Sequence, residues 1–310
     1  MEHTGFQHQA LIYDGAEEFL AAAVPYLRDG LQAGQPALVA VGPDQTRLLQ
    51  GELGADSELI RFADMRKVGR NPASIIPIWA EFVDENDTLP VRGIGEPIWA
   101  ARSPAALEEC QRHECLLNTA FDRGSAWDLL CPYDAGSLGD EILEQVAHSH
   151  PVITREGRSE PSASFVRDGD TFAGTLPPPG AEPEVLVFGL AGLGEVRRRV
   201  TAAAERASMA PPEVADLVTA TSELAANSVM HGGGQGTLRL WQEDERLLAE
   251  VQDRGLIEEP LVGRIRPDVN QEGGRGLWLA NQLCDLVQIR SGAEGTTVRL
   301  HVLAREAAFV

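Results

Sequence analysis

The chain of 310 residues reads as α/β throughout, in two parts. The first part is a mostly parallel sheet flanked by helices. The second is an α/β sandwich, a mixed sheet covered on one face by helices. Three observations predict this. Short, continuously apolar runs such as Ala37–Val41 alternate with helical stretches before residue 153, the pattern of strands buried on both faces of a parallel sheet. After residue 184 the strands come in hairpin-like pairs separated by helices. Between them, residues 154–183 are rich in Pro, Gly and small polar residues and read as a connector, semi-extended around Pro177, Pro178 and Pro179. The expected boundaries are 6–153, 154–183 and 184–304, in keeping with the roughly two domains such a length allows.

The elements follow in chain order. Residues 9–13 are a strand. Residues 15–33 are a helix, because Phe19, Ala23, Tyr26, Leu27 and Leu31 recur near a 3.6 period. Ala37–Val41 is a buried strand, 45–53 a helix and 59–62 a strand. Strands 91–94 and 127–131 enclose a helix at 104–121. Phe165, Val166 and Phe172 mark one short docked element within the connector. The second part runs as strand 185–188, helix 194–207, helix 212–230, strands 236–241 and 247–252, a helix after Gly276, and strands 286–290 and 297–302.

Composition bounds the function. Lys and Arg total 26 against 47 Asp and Glu, a net charge of −21. That disfavours direct nucleic-acid binding, which depends on cations neutralising phosphates, and disfavours anionic membrane surfaces. There is no bilayer-spanning apolar run, and the polar start Met1-Glu-His-Thr-Gly-Phe lacks a signal-peptide pattern. A cytoplasmic protein is expected. Four cysteines in this length do not suggest a disulfide framework.

The strongest chemical signal is three segments in series. Leu217, Val218, Leu224, Ala225 and Val229 give the 212–230 helix an apolar face. Positions four apart share a stripe, so Glu223, Asn227 and His231 stack along one side. An acid and an amide there need partners. A divalent ion with a triphosphate would serve, since Mg²⁺ takes oxygen ligands beside phosphates and a Glu can accept a proton from an attacking hydroxyl. An ordinary amphipathic helix with two polar residues fits the same spacing. Next, a strand ends at Asp253-Arg-Gly255, where a carboxylate can accept from an exocyclic amine and the glycine allows close approach. Last, Gln271-Glu-Gly-Gly-Arg-Gly276 opens a helix beginning Leu277-Trp-Leu279. Its N–H groups suit a phosphate, Arg275 adds a charged donor, and a tight turn with a glycine cap is the plainer alternative.

With these residues, the stretch from Glu184 to Ala304 resembles the histidine-kinase-like (GHKL) ATPase superfamily, most closely bacterial anti-sigma regulatory factors of the serine-kinase type. Glu223 to His231 is similar to the N box, Asp253-Arg-Gly255 to the first glycine box, Gly274 to Leu279 to the second, and Gly295-Thr-Thr-Val298 to the last. The resemblance implies ATP and Mg²⁺ as cofactors. Asn227 would ligate Mg²⁺, Glu223 would be the general base and Asp253 would read adenine. Gly274 and Gly276 would contact phosphates, with His231, Gly255, Arg275, Leu277, Thr296 and Thr297 completing the ATP site. The implied activity is serine/threonine protein phosphorylation and sequestration of a sigma factor, by partner switching with an anti-anti-sigma (STAS) protein. Proteins of this type often form homodimers. One position departs from the pattern: Ile257 stands where the first glycine box has its second glycine, and a branched residue does not easily take positive φ. The stretch 257–272 would be an abbreviated lid. A non-catalytic, ATP-dependent partner-binding switch is the alternative.

Residues 8–153 resemble the MEDS family, a sensory domain related to a reduced RecA/KaiC-like core. The resemblance lies in His8-Gln-Ala-Leu-Ile-Tyr-Asp14, Gly30-Leu-Gln-Ala-Gly34, Arg92-Gly-Ile-Gly-Glu96-Pro-Ile-Trp99, His113-Glu-Cys-Leu-Leu-Asn118, Cys131-Pro-Tyr-Asp134 and His150-Pro151. No P-loop is present, so no P-loop hydrolysis is expected here. Arg92 and Glu96 either flank a small-molecule site at strand ends or form a structural ion pair. Cys131, Tyr133 and Asp134 either line the same crevice or pack a strand end. Cys110, His113 and Cys115, with Cys131, His148 and His150 elsewhere, are of zinc-binding types, although buried apolar thiols are the commoner outcome.

Overall fold

The computed structural model describes residues 5–122, 124, 126–167, 172–267 and 274–304. The chain divides into two compact units, Met1–Gly169 and Asp170–Val310.

The first unit holds strands β1 (Phe6–Tyr13), β2 (Ala37–Val41), β3 (Ile60–Asp64), β4 (Val91–Gly95), β5 (Trp127–Asp134), β6 (Val152–Arg155) and β7 (Arg158–Pro161). They form one sheet in the order β3-β2-β4-β5-β1-β6-β7, parallel except for the antiparallel β6–β7 hairpin. Its helices are α1 (Gly15–Gln32), α2 (Pro43–Leu53), the short α3 (Met65–Val68), α4 (Ile75–Glu85), α5 (Pro104–Ala120) and α6 (Asp140–Ser149). All five residues of β2 are buried, as a strand covered on both faces requires. Leu11, Val39 and Ile94 pack with Phe19, Ala23 and Leu27 of α1. Elsewhere Trp79 of α4 lies against β4 so closely that a Cβ on Gly93 or Gly95 would come within 2.9 Å of the indole. Helix α4 is not among the expected elements, and it contains Pro77. That proline sits in the first turn, where an N–H has no intrahelical acceptor to lose. Helix α5 starts from Ser103, whose hydroxyl accepts from the Ala106 N–H, with Pro104 in its first turn.

The residues expected as a connector begin inside this unit. Thr154 and Arg155 pair with β1, and residues 158–161 form β7. The Val166 N–H donates to the His148 carbonyl.

The second unit comprises β8 (Glu184–Gly189), α7 (Leu193–Arg206), α8 (Pro211–Met230), β9 (Gln235–Glu243), β10 (Arg246–Asp253), α9 (Arg275–Leu283), β11 (Leu286–Gly292) and β12 (Gly295–Leu303). Its sheet runs β11-β12-β10-β9-β8 and is antiparallel at every pairing, where a mixed sheet was expected. Two tight hairpins, β9–β10 and β11–β12, fix two of the four pairings, and the helical connections bring the remaining strands back reversed.

Strand alternation separates the two faces. Val251, Ala249, Val298 and Leu300 pack with Val200, Leu217, Leu224 and Leu277 in a core beneath the helices. On the other face Glu250 binds Arg299 (2.7 Å) and Arg239 (3.0 Å). The segment from Phe172 runs along this second face, where the Pro177 carbonyl accepts from Arg299 at 2.8 Å.

Candidate functional site

The helix face of the second unit contains a cleft of about 310 Å³ between α8, the end of β10, the start of α9 and β12. Asn227, His231, Asp253, Gly255, Gly274, Leu277 and Thr296 line it, together with Ser228, Gly232 and Ile257.

Asp253 is held from two sides. Its Oδ2 accepts from the Ser228 hydroxyl at 2.5 Å, and its Oδ1 accepts from the Gly255 N–H at 2.7 Å. Thr296, paired opposite Asp253 across the β10–β12 ladder, donates to the Gly255 carbonyl at 2.9 Å and meets the Ser291 hydroxyl at 2.8 Å. Both the N–H and the carbonyl of Gly255 beside the carboxylate are therefore tied down. A Cβ at Gly232 would sit 2.4 Å from the Asp253 Cγ, so only glycine lets the α8 terminus approach this side chain.

The acid–amide pair meets the second glycine segment. A Cβ at Gly276 would lie 3.0 Å from Asn227 Nδ2 and 3.1 Å from Glu223 Oε2. The first turn of α9 is thus pressed onto Glu223 and Asn227, with Gly274 in the left-handed conformation (φ 79°) as its N-cap. A helix start leaves N–H groups without intrahelical acceptors, so this end of α9 suits negative charge. Arg275 is exposed beside it. The preceding Gln271, Glu272 and Gly273 lie outside the described residues.

Ile257 causes no backbone strain, since it is not among the described non-glycine residues with positive φ. Its N–H donates to the Ser291 hydroxyl at 2.8 Å, and its side chain packs on the core. The described part of the stretch expected as a lid is tied to α9 where Asn281 donates to the Gly263 carbonyl at 2.9 Å.

Thr297 does not share this cleft. One residue beyond Thr296 on a strand, it points to the opposite face and lines a second cavity with Arg239, Glu250 and Arg299. Ser228 and Gly232, which set the Asp253 carboxylate, escaped sequence reasoning. The only signal for Gly232 was its place in Gly232-Gly-Gly234.

In the first unit the five candidate ligand residues do not converge. Arg92 is the second residue of β4 and Glu96 follows its end, roughly 13 Å apart at the rise of an extended strand. They form no ion pair, because the strand holds them at opposite ends. Arg92 donates to Gln35 Oε1 and the Tyr26 carbonyl, both at 2.6 Å, and stacks on the Tyr26 ring. Glu96 accepts from the Tyr13 hydroxyl at 3.0 Å. Burial pushes its carboxyl up to about 7, against the lowering pull of that hydrogen bond. Asp134 caps a turn through the Gly136 N–H. Cys131 and Tyr133 face the other side of the sheet, where the Cys131 thiol lies 3.3 Å from His8. Cys110, His113 and Cys115 form no metal-type group among the described residues. The Cys110 thiol instead donates to the Pro97 carbonyl.

A helix-covered antiparallel sheet, with an acid–amide helix facing a glycine-started helix across a carboxylate, defines an ATPase domain of the histidine-kinase-like class. Residues 189–302 match the family described as the histidine kinase-like ATPase domain. Residues 7–151 match the MEDS family, the methanogen/methylotroph, DcmR sensory domain. The chain therefore carries a MEDS domain at its N-terminus and a histidine-kinase-like ATPase domain, which implies nucleotide binding, at its C-terminus. Among solved structures, that of the RsbU and RsbW domains of Rv1364c from Mycobacterium tuberculosis is 25% identical, over 42% of this chain and 35% of that one, with a TM-score of 0.32. The match thus spans about a third of that chain's length. No curated protein matches the chain. Among the described residues, no helix is long and apolar enough to cross a membrane.

Proposed function

We propose that this protein is a sensor-linked anti-sigma factor and serine/threonine protein kinase. It binds ATP with Mg²⁺ and regulates a sigma factor by partner switching with an anti-anti-sigma (STAS) protein, under control of a small ligand of its N-terminal unit. The observation that carries the reading is the press of Gly276 onto Glu223 and Asn227. It brings a carboxylate, a carboxamide and a helix start together, groups of the kind that a metal–triphosphate needs.

In this reading Asp253 accepts from the adenine amine. Ser228 and Gly255 occupy one lone pair on each of its oxygens and fix its direction. Asn227 holds Mg²⁺, which when bound neutralises phosphate charge. Gly274 and Gly276 allow the α9 backbone to approach the phosphates, and Arg275 adds a cation. Glu223 takes the proton from the attacking serine or threonine hydroxyl. Coupling requires that the sensed ligand favour one arrangement of the protein over another.

Ile257, in place of a family glycine, supports a second reading in which ATP shapes a partner surface and no phosphate moves. The two are separated with labelled ATP and a STAS-type partner. Label on the partner, lost in Glu223→Ala and Asn227→Ala, supports the kinase. Calorimetric ATP binding without label supports the switch, and no binding heat at saturating ATP sinks both.

A further inference from the structure

Four side chains from four separate segments of the first unit converge in its interior: His8 of β1, Glu114 of α5, Cys131 of β5 and His150 just after α6. All four are buried, and one ligand atom from each lies within 4.8 Å of every other. His8 Nε2 is 3.1 Å from Glu114 Oε2, His150 Nε2 is 3.3 Å from the same oxygen, and Cys131 Sγ is 3.3 Å from His8 Nε2. The edges of a tetrahedron built on zinc-type bonds to N, O and S run about 3.3–3.8 Å.

The outer ends of both imidazoles are committed. His8 Nδ1 faces Asn118 Oδ1 at 3.2 Å, and Asn118 is itself oriented by donating to the Ser149 carbonyl at 2.8 Å. His150 Nδ1 faces the Val146 carbonyl at 3.0 Å. Carbonyl-type acceptors at Nδ1 select the Nδ1–H tautomer, which turns both Nε2 lone pairs toward the carboxylate. Two lone pairs and a carboxylate oxygen facing one another repel unless a cation lies among them. His150 Nε2 and Glu114 Oε1 make no hydrogen bond although fully enclosed. Beside the cluster is a cavity of about 260 Å³ lined by Glu114, Tyr133, Ile98 and Val146, which gives an ion a way in.

We propose that His8, Glu114, Cys131 and His150 form a binding site for one divalent transition-metal ion of the zinc class, independent of the nucleotide cleft. His8 and His150 bind through Nε2, Glu114 through a carboxylate oxygen and Cys131 through its thiolate, the thiol proton leaving to solvent as the ion enters. Asn118 is a positioning residue for His8.

The test uses the full-length chain. Metal content is measured by plasma mass spectrometry on protein as isolated. Chelator-treated protein is then titrated with Co²⁺ and followed by absorption. One ion per chain is expected, with a thiolate-to-cobalt band in the near ultraviolet and intense visible bands of a four-coordinate site. Cys131→Ser should abolish the first band, and Cys115→Ser should change neither. Asn118→Ala should weaken Co²⁺ affinity about 10- to 100-fold. The proposal is overturned if natively folded wild-type protein holds only trace metal and gives no cobalt spectrum, or if the thiolate band survives Cys131→Ser.

Discussion

Replacing Asp253 by Asn isolates nucleotide recognition from folding. In the native protein Oδ1 accepts from the Gly255 N–H and Oδ2 from the Ser228 hydroxyl. An asparagine can keep the first bond with its own Oδ1, so its Nδ2 takes the place of Oδ2. The Ser228 hydroxyl then becomes an acceptor, and its hydrogen turns fully to the Leu224 carbonyl, already 3.2 Å away. The framework therefore survives. What is lost is the negative charge and one acceptor facing the base. A hydrogen bond to a charged group contributes about 1.5–3 kcal/mol, which at about 1.4 kcal/mol per tenfold is roughly a 10- to 150-fold rise in Kd for ATP. Isothermal titration calorimetry with ATP, and with purine riboside triphosphate, which lacks the amine, makes the test specific. Asp253→Asn should weaken ATP by that factor and leave the analogue within about threefold, with an unchanged melting temperature. Equal weakening of both nucleotides, or none of either, would refute the assignment of Asp253 to the adenine amine.

Gly276→Ala places a methyl 3.0 Å from Asn227 Nδ2 and 3.1 Å from Glu223 Oε2, displacing both. Single-turnover transfer should fall about 10- to 100-fold, while circular dichroism melting holds because alanine favours the helix by about 0.5–1 kcal/mol. Gly295 has φ 105° and would place a Cβ 2.1 Å from the Asp253 carbonyl oxygen. Gly295→Ala should destabilise the second unit by about 3 kcal/mol, read as a lower urea midpoint. Glu96, raised by burial from 4.5 to about 7, contributes stability that is whole below pH 4.5 and is lost as pH rises toward 7. At ~1.4 kcal/mol per unit the ceiling is on the order of 3 kcal/mol, so Glu96→Gln should flatten that part of the fall in thermal midpoint between pH 5 and 8.

The elements legible in the sequence were those whose residues declare their own surroundings. Ala37–Val41 is apolar because both faces are covered, and 217, 224 and 225 repeat at helical spacing because one face meets the sheet. Helix α4, not among the expected elements, contains Pro77, a breaker that happens to sit where breaking costs least. Strand β7, Arg158-Ser-Glu-Pro161, is exposed along its length and has no apolar alternation to show. In the cleft of the second unit, Glu223, Arg275 and Gly276 are not among the lining residues, while Asn227, His231, Asp253, Gly255, Gly274, Leu277 and Thr296, which are, came from local motifs. Ser228 did not, because its role depends on a partner 25 positions away. The His8 cluster was less visible still. His8 and Glu114 are 106 positions apart, and β-strand pairing brings Cys131 to them. A reading confined to nearby cysteines and histidines grouped Cys110, His113 and Cys115 instead.

The β6–β7 hairpin gives the parallel sheet a margin that cannot recruit another strand. β7 runs against its neighbour, shows Arg158 and Glu160 to water, and closes on Pro161, which has no N–H to offer. A chain ended at residue 153, where apolar patterning fades, would lose most of this selvage and leave Leu11 and Ile12 of the inner strand without their partners Thr154 and Arg155. Such a fragment would self-associate for a reason unrelated to signalling, whereas one ending after Ser162, whose N–H is bonded to the Pro151 carbonyl, would keep its border closed.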